Sequence, residues 1–202
     1  MQQEYTKLLS EILNGMGNTD HIQLGDIPDI DLYMDQVTHF MEEHLKNSKR
    51  YENDKILTKT MINNYTKNKL LPPSEKKRYT REHMLVLIFI YYFKSFLPLS
   101  DIQAILKPVT EHFFNTEGDF NIENIYKEIY ALGKDQISET IRDIMANYHT
   151  ASNSFKECPE ENREFMQIFS FICLLSFDIY LKKEVIEKMI DALPRPSADK
   201  KS

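Results

Sequence analysis

Residues 56–109 read ILTKTMINNYTKNKLLPPSEKKRYTREHMLVLIFIYYFKSFLPLSDIQAILKPV, and this stretch decides the fold. Thr58 is a typical N-cap residue, so a helix is predicted to begin there. The helix must end before Pro72, because proline lacks the backbone N–H that a helix needs and its ring clashes with the preceding turn. A short basic turn at 74–79 follows, compatible with a small two-stranded wing, and Thr80 predicts the start of the next helix.

Two further helices complete this stretch. The segment 84–96 is apolar nearly all round, which predicts a helix that is buried on every side. Pro98 ends it, and Ser100 with Gln103 three residues later fits a capping box that opens another helix. We expect this last helix to end before Pro108.

Positive charge is concentrated in the same part of the chain. Between Lys49 and Arg81, ten Lys or Arg residues stand against three Asp or Glu residues, a local net charge of +7. The whole chain carries −6, so the remainder carries −13. An acidic protein that collects its basic residues beside a helix-turn-wing pattern has the electrostatic character of a DNA-binding protein.

Composition predicts a mainly helical protein of the cytoplasm. Apolar residues make up 42% of the chain, which is enough for a packed core, and only five residues are glycine. The two cysteines, Cys158 and Cys173, and the lack of a signal-peptide pattern favour a reducing compartment. Polar residues interrupt the most apolar run, Phe165–Leu181, so we expect a buried helix there rather than a membrane span.

Helices are also predicted before and after the decisive stretch. The first covers 3–14, and a second begins near Asp29 or Asp31 and is followed by a solvated connection at 46–55.

A long helix capped by Asn121 should come next. Its apolar residues repeat at nearly heptad spacing from Ile122 to Tyr148, with a slip near Gly133, and such a seam needs a partner to cover it. The final helix is predicted from Glu160 to Leu193. Two alternatives stay open for the seam: it contacts a second copy of the chain, or the final helix of the same chain covers it.

The order of these motifs resembles the MerR-like winged helix-turn-helix. Met61–Thr66 (MINNYT) stands where that family has its recognition helix, and Leu70–Pro73 (LLPP) follows as the stop. Lys77–Thr80 (KRYT) is similar to the end of the family's wing, and Leu97–Ile102 (LPLSDI) to its last element. More specifically, the chain resembles an uncharacterised bacterial domain family that shares this core, over about residues 25–180.

The resemblance implies a mainly α fold with a small two-stranded wing and additional C-terminal helices. Together with the helix pattern, it predicts an N-terminal helix and loop at 1–26, a DNA-binding domain at 27–116 and a helical dimerisation or partner region at 117–193. The tail at 194–202 is predicted from its composition to be disordered.

Two groups of residues are predicted to contact DNA. Outward side chains of the recognition helix, at about 58–68, should enter the major groove, where asparagine pairs with adenine and lysine donates to guanine. The basic wing at 74–80 should clamp phosphates, which supplies affinity without reading sequence. Tyr79 is expected either to pack under the wing or to touch a phosphate with its hydroxyl. The predicted contact residues are Lys59, Thr60, Asn63, Asn64 and Lys67 of the helix, and Lys76, Lys77, Arg78 and Tyr79 of the wing.

The leading hypothesis is therefore a sequence-specific transcriptional regulator that binds double-stranded DNA as a homodimer. The alternative is a non-catalytic helical protein-interaction module that reuses the fold, with the basic patch docking an acidic partner. Taken alone, a run of like charge is more often an ordinary solvated face. The histidine and cysteine spacings predict no metal site, and the chain has no phosphate loop or nucleophile motif. We therefore expect no cofactor, no metal and no enzymatic activity. A small-molecule effector is left open, although the aromatic stripes are more typical of a core.

Overall fold

The chain is mainly helical, with one small sheet. A computed structural model describes residues 2–17, 22–116 and 118–194. These residues belong to two compact units: the winged unit, Asp20–Tyr130 with Glu187–Ser202, and the helical unit, Met1–Thr19 with Ala131–Ile186. The predicted disordered tail lies outside the described residues, except for Pro194. The predicted domain boundaries stay a prediction.

The α-helices are α1 (Gln2–Gly17), α2 (Met34–Leu45), α3 (Lys59–Lys67), α4 (Arg81–Phe93), α5 (Leu99–Phe113), α6 (Ile122–Ser152) and α7 (Glu160–Asp191). The strands β1 (Leu32–Tyr33) and β2 (Arg78–Tyr79) pair antiparallel. Short 3-10 turns occur at Leu24–Asp26 and Lys46–Ser48. The predicted class, mainly α with a small two-stranded wing, is confirmed.

The core of the winged unit surrounds α4. Every residue from His83 to Ile90 is buried, as the all-round apolar sequence predicted. Tyr91–Phe93 are only half-buried, Phe96 is exposed, and the helix ends at Phe93 rather than at the predicted Phe96. The neighbouring helices turn apolar side chains inward, among them Met41 of α2, Ile62 of α3 and Ile102 of α5. The ring of Phe89 meets that of Tyr126, at the start of α6, edge to face at 5.6 Å between centroids.

The predicted cap of α3 is confirmed. The Thr58 hydroxyl oxygen accepts a hydrogen bond from the backbone N–H of Met61 at 3.2 Å, which satisfies one of the amide groups that a helix leaves unpaired at its first turn. Ile62 and Tyr65 are buried as predicted, and Met61 is half-buried.

The predicted start and end of α5 are both wrong. Pro98 precedes the first helical residue, so Ser100 lies inside the helix and its hydroxyl donates to the Asp101 carboxylate at 3.2 Å. The fixed φ of proline suits this position, and its missing N–H is not needed there. The helix also continues through Pro108 to Phe113. Pro108 is exposed on the helix surface, where water can hydrate the carbonyl that loses its partner.

The second helix begins at Met34, later than predicted, because the preceding residues form β1. Leu32 pairs with Tyr79 and Tyr33 with Arg78. The strand that partners the wing therefore comes from the segment before α2. The first helix runs beyond its predicted end, to Gly17.

The prediction of a buried C-terminal helix is wrong. No described residue of α7 is buried. By length and composition alone α7 could cross a membrane, since an 18-residue window within it reaches a mean hydropathy of 1.5.

The predicted cap of α6 is confirmed, because the Asn121 side chain accepts the N–H groups of Glu123 and Asn124 at 3.0 and 3.3 Å. This helix passes through Gly133 without a break.

Replacing Thr58 with alanine should destabilise the chain by about 1 kcal/mol, because the cap of α3 is lost. Ser100→Ala is the matched control: Ser100 caps no helix, so this change should stay within about 0.5 kcal/mol of the parent protein. Urea unfolding followed by circular dichroism measures both values. A Ser100→Ala protein as unstable as Thr58→Ala would contradict the start of α5 at Leu99.

Candidate nucleic-acid interface

The exposed face of α3 carries all the predicted helix contacts. The opposite face is buried through Ile62 and Tyr65. Among the residues that the structure describes, the side chains of Asn63 and Asn64 have no hydrogen-bond partner, so their amide groups can both donate to and accept from a ligand. The exposed residues of this face are Lys59, Thr60, Asn63, Asn64 and Lys67.

The carboxyl end of α3 is held by a hydrogen-bonded turn. Lys69 adopts a left-handed conformation, with φ of 56°, and the N–H of Leu70 returns to the carbonyl of Tyr65 at 2.8 Å. The side-chain amide of Gln103, from α5, donates to the carbonyl of Asn68 at 2.9 Å. Lys69 is exposed and was not among the predicted contacts. Its position two residues after the end of α3 could have identified it as a contact residue from the sequence.

The tip of the wing is a tight turn with two lysines in left-handed conformations. The N–H of Arg78 bonds the carbonyl of Glu75 at 2.8 Å, and φ is 50° at Lys76 and 65° at Lys77. Positive φ at both central residues is the pattern of a type I′ turn, which usually holds Asn and Gly. Two lysines there cost about 1 kcal/mol each in backbone strain. Strain of this kind is concentrated at functional sites.

Strand β2 sends its two side chains to opposite faces of the sheet. Arg78 is exposed, and its guanidinium lies 5.8 Å from the ring centroid of Tyr33. Tyr79 is buried, with its ring edge-on to that of His83 at 5.6 Å. Of the two roles expected for Tyr79, the structure shows packing under the wing. We therefore withdraw Tyr79 as a DNA-contact residue.

His83 joins the wing to the start of α4. The N–H of Thr80 donates to its Nδ1 at 3.0 Å, and its Nε2 lies 3.4 Å from the carbonyl of Pro73. Nδ1 acts as the acceptor, so the neutral imidazole carries its proton on Nε2 and donates it to Pro73. Burial lowers the pKa of His83 below its ordinary value.

The charges on the helix face and the wing are mostly unpaired. Lys59 forms an ion pair with Asp35 of α2. In the described part of the chain, the other basic residues of the helix face and wing make no ion pair with a carboxylate. Helix α2 contacts both α3 and β2, so one scaffold helix positions the two groups. The unpaired cations are Lys67, Lys69, Lys76, Lys77 and Arg78.

An open cavity of about 470 Å³ in the winged unit forms a second candidate site. Lys49 and Lys55, from the connection after α2, line it together with Lys94 and Tyr91 near the end of α4. The Lys94 ammonium donates to the carbonyl of Ile56 at 2.6 Å, and burial lowers its pKa. Sequence reasoning missed this cavity because its walls come from two distant segments. Its lining also includes Asp54, and Lys49 is ion-paired with Glu42, so charges of both signs face the cavity.

Within residues 2–17, 22–116 and 118–194, no group of three or more His, Cys, Asp or Glu side chains is placed to bind a metal ion.

A family model described as "Domain of unknown function (DUF1836)" matches residues 22–129. The match covers more than half of the chain and shows the family, which confirms the resemblance to an uncharacterised domain family. It ends at residue 129, whereas the resemblance was predicted to reach about residue 180. The MerR-like core stays a prediction. No curated protein and no solved structure matches the chain.

Acidification should destabilise the chain through His83. Its pKa is lowered from 6.5 on folding, so between the folded value and 6.5 the unfolded chain binds a proton that the folded chain does not. The stability that depends on neutral His83 is complete above pH 6.5 and is lost as the pH falls toward the folded value. Urea unfolding at about pH 7.5 and about pH 5.5 measures the loss.

The matched control is His83→Gln. Glutamine three residues after Thr80 completes an ordinary capping box and does not titrate. This variant should therefore lose less stability on acidification than the parent protein. Equal losses in the two proteins would contradict a role for His83.

Lys77→Gly should stabilise the chain by about 1 kcal/mol, because glycine adopts positive φ without a clash at Cβ. Lys134→Gly, at an exposed position inside α6, provides the control and should destabilise by about 1 kcal/mol. Both values come from urea unfolding. A Lys77→Gly protein that is less stable than its parent would show that the turn does not hold the left-handed conformation.

Proposed function

We propose that this chain, which belongs to the family of the domain of unknown function DUF1836, is a sequence-specific DNA-binding transcriptional regulator. In this proposal the winged unit is a MerR-like winged helix-turn-helix. Helix α3 enters the major groove, and the turn at 75–78 lies against the phosphate backbone. One observation carries the proposal. Helix α2 contacts both α3, whose exposed face carries amide and ammonium groups, and strand β2, whose preceding turn carries two lysines.

The two groups have different expected roles. Asn63 and Asn64 can each pair bidentately with an adenine edge, because their amides offer a donor and an acceptor side by side. Lys76 and Lys77 offer only donors and charge, which suits phosphate oxygens and carries no sequence information. Lys67 and Lys69, at the carboxyl end of α3, suit the flanking phosphates.

Charge segregation supports a single orientation on DNA. The residues outside 49–81 carry a net charge of −13, and a polyanion is repelled by them. The segment with the local charge of +7 attracts the duplex and is therefore the part that we expect to face it.

A protein-interaction module is the second candidate, and the Lys59–Asp35 ion pair favours it. That contact shows that the α3 face already accepts a carboxylate, as it would from an acidic partner. If the chain binds DNA, Lys59 must release Asp35 and contact a base or a phosphate instead. Neither proposed function requires a cofactor, a metal or a catalytic residue.

As a regulator the chain acts in the cytoplasm on double-stranded DNA, and we expect a homodimer. The cavity around Lys94 is a candidate place for a small-molecule effector. It would act near Ile56, two residues before the cap of α3.

Titration with random duplex DNA at two salt concentrations tests the proposal. Phosphate contacts make affinity fall steeply with salt, because binding releases counterions. Lys77→Gly should weaken binding to every duplex and lower the salt slope by about one unit. Since this variant should be more stable than its parent, a loss of binding is not the result of unfolding. Lys134→Ala, which removes one exposed lysine far along α6, should bind like the parent.

Base reading requires a preferred site, obtained by selection from a random duplex pool. Asn63→Ala and Asn64→Ala should each weaken that site by about 1–3 kcal/mol and leave random duplexes nearly unaffected. If the asparagine changes weakened all duplexes equally, α3 would not lie in the major groove. If the parent protein bound no duplex at either salt concentration, the interaction module would be favoured.

A further inference from the structure

One side of α7 packs against its own chain within the helical unit. The ring of Phe171 meets that of Tyr148, on α6, edge to face at 5.3 Å. The side-chain amide of Gln167 donates to the carbonyls of Ser152 and Ser154, at 2.8 and 3.1 Å. These contacts fix which side of α7 faces α6 and leave the other side uncovered.

The uncovered side is an apolar stripe with heptad spacing. Phe165, Phe169 and Ile172 are 70%, 50% and 55% exposed, and Ile179 is 64% exposed. With Ser176 between the last two, the intervals are four, three, four and three residues. This is the spacing at which one helix packs along another with knobs in holes.

The apolar surface that α7 exposes is too large for an isolated chain. Tyr180 lies beside the stripe, and Phe177 and Leu181 continue the apolar surface around the helix; all three are mostly exposed. Seven such side chains, at about 100 Å² each, give on the order of 700 Å². The largest apolar patch on a typical monomer is about 300–600 Å². A stable interface takes about 800 Å² from each partner.

We propose that a second copy of this chain covers the stripe, with α7 packed against α7. The charges at the two ends of the stripe are complementary. Glu160 and Glu161 lie in the first turn of α7, and Lys183 follows Ile179 at the spacing of the stripe, whereas Lys182 is ion-paired with Asp178 of the same helix. An antiparallel pair brings the acidic end of each helix toward the basic end of the other, and it also opposes the two helix dipoles.

A lipid bilayer fits this surface less well, although α7 is long and apolar enough to span one. Asp178, ion-paired with Lys182, lies within the apolar run. Helix α6, to which α7 is bound, exposes Glu139, Arg142 and Asp143 along its length. A bilayer that took up α7 would have to accept these charges, which is costly in hydrocarbon.

Helix α6 offers less surface for a dimer than its near-heptad sequence predicted. Ile122, at the start of that seam, is buried within the winged unit. Tyr148, at its end, is in contact with Phe171, so the final helix covers part of the seam. Ile129 and Leu132 are its most exposed members. The continuous exposed stripe is on α7.

The test is the mass of the full-length protein in solution, without DNA or lipid, by light scattering at about 1 and about 100 µM. One chain has a mass of 23.9 kDa, and we expect the parent protein to double it. The variant F169E/I172E should return to the mass of one chain with an unchanged far-UV circular dichroism spectrum. Leu132→Glu, at a similarly exposed apolar residue of α6, is the matched control and should stay dimeric.

Ser176→Lys provides a second variant in case F169E/I172E does not fold. It removes no apolar side chain and places a charge in the middle of the stripe, so the dimer should weaken at least about tenfold. Far-UV circular dichroism checks that it folds.

Three results would overturn the proposal. The first is a parent protein with the mass of one chain at the highest concentration. The second is a folded variant that stays as dimeric as its parent. The third is co-sedimentation of the parent with vesicles of phosphatidylcholine and phosphatidylglycerol that F169E/I172E abolishes, which would assign the stripe to a membrane. Because DNA is absent, failure here is distinct from failure to bind a duplex. The monomeric variant should still bind random DNA through α3 and the wing.

Discussion

The burial of the central part of α4 is the constraint on which the winged unit depends. Every residue from His83 to Ile90 is buried, so the elements around this helix must turn apolar sides toward it. Helix α3 has only nine residues and would not be stable alone. It is held through Ile62 and Tyr65, and its polar face is therefore directed outward. The candidate DNA-reading surface is thus a consequence of core packing.

The wing depends on the same helix. Two residue pairs make a sheet too small to be stable by itself, and Tyr79 anchors it beside His83 at the start of α4. With the strand anchored, the turn at its end can hold Lys76 and Lys77 in left-handed conformations that isolated lysines rarely adopt. The burial that places the wing also makes His83 sensitive to acid, because a buried imidazole resists protonation.

The helical unit contains an apolar helix, α7, that its own chain does not bury. Helix α7 is as apolar as a core helix, yet its own chain covers only one side of it. Its sequence indicates that a large apolar surface must be removed from water, but hydrophobicity has no direction and does not name the partner. For that reason the prediction of a buried helix at Phe165–Leu181 was wrong: the rest of this chain does not bury the helix, and its apolar side remains exposed to solvent.

The sequence by itself determined the features whose causes are local. Thr58 and Asn121 cap their helices through bonds to amides two or three residues away, and the uninterrupted apolar run made the burial of α4 predictable. The outward residues of α3 and the lysines of the wing were identified in the same way, from helical spacing and charge.

Only the tertiary structure decided features that join distant segments. Strand β2 pairs with β1 from before α2, Tyr79 turns inward, and Gln103 bonds Asn68 rather than capping its own helix. Local hydrogen bonds are set by neighbours in sequence, whereas strand partners and covered faces are set by whichever surface the folded chain brings near.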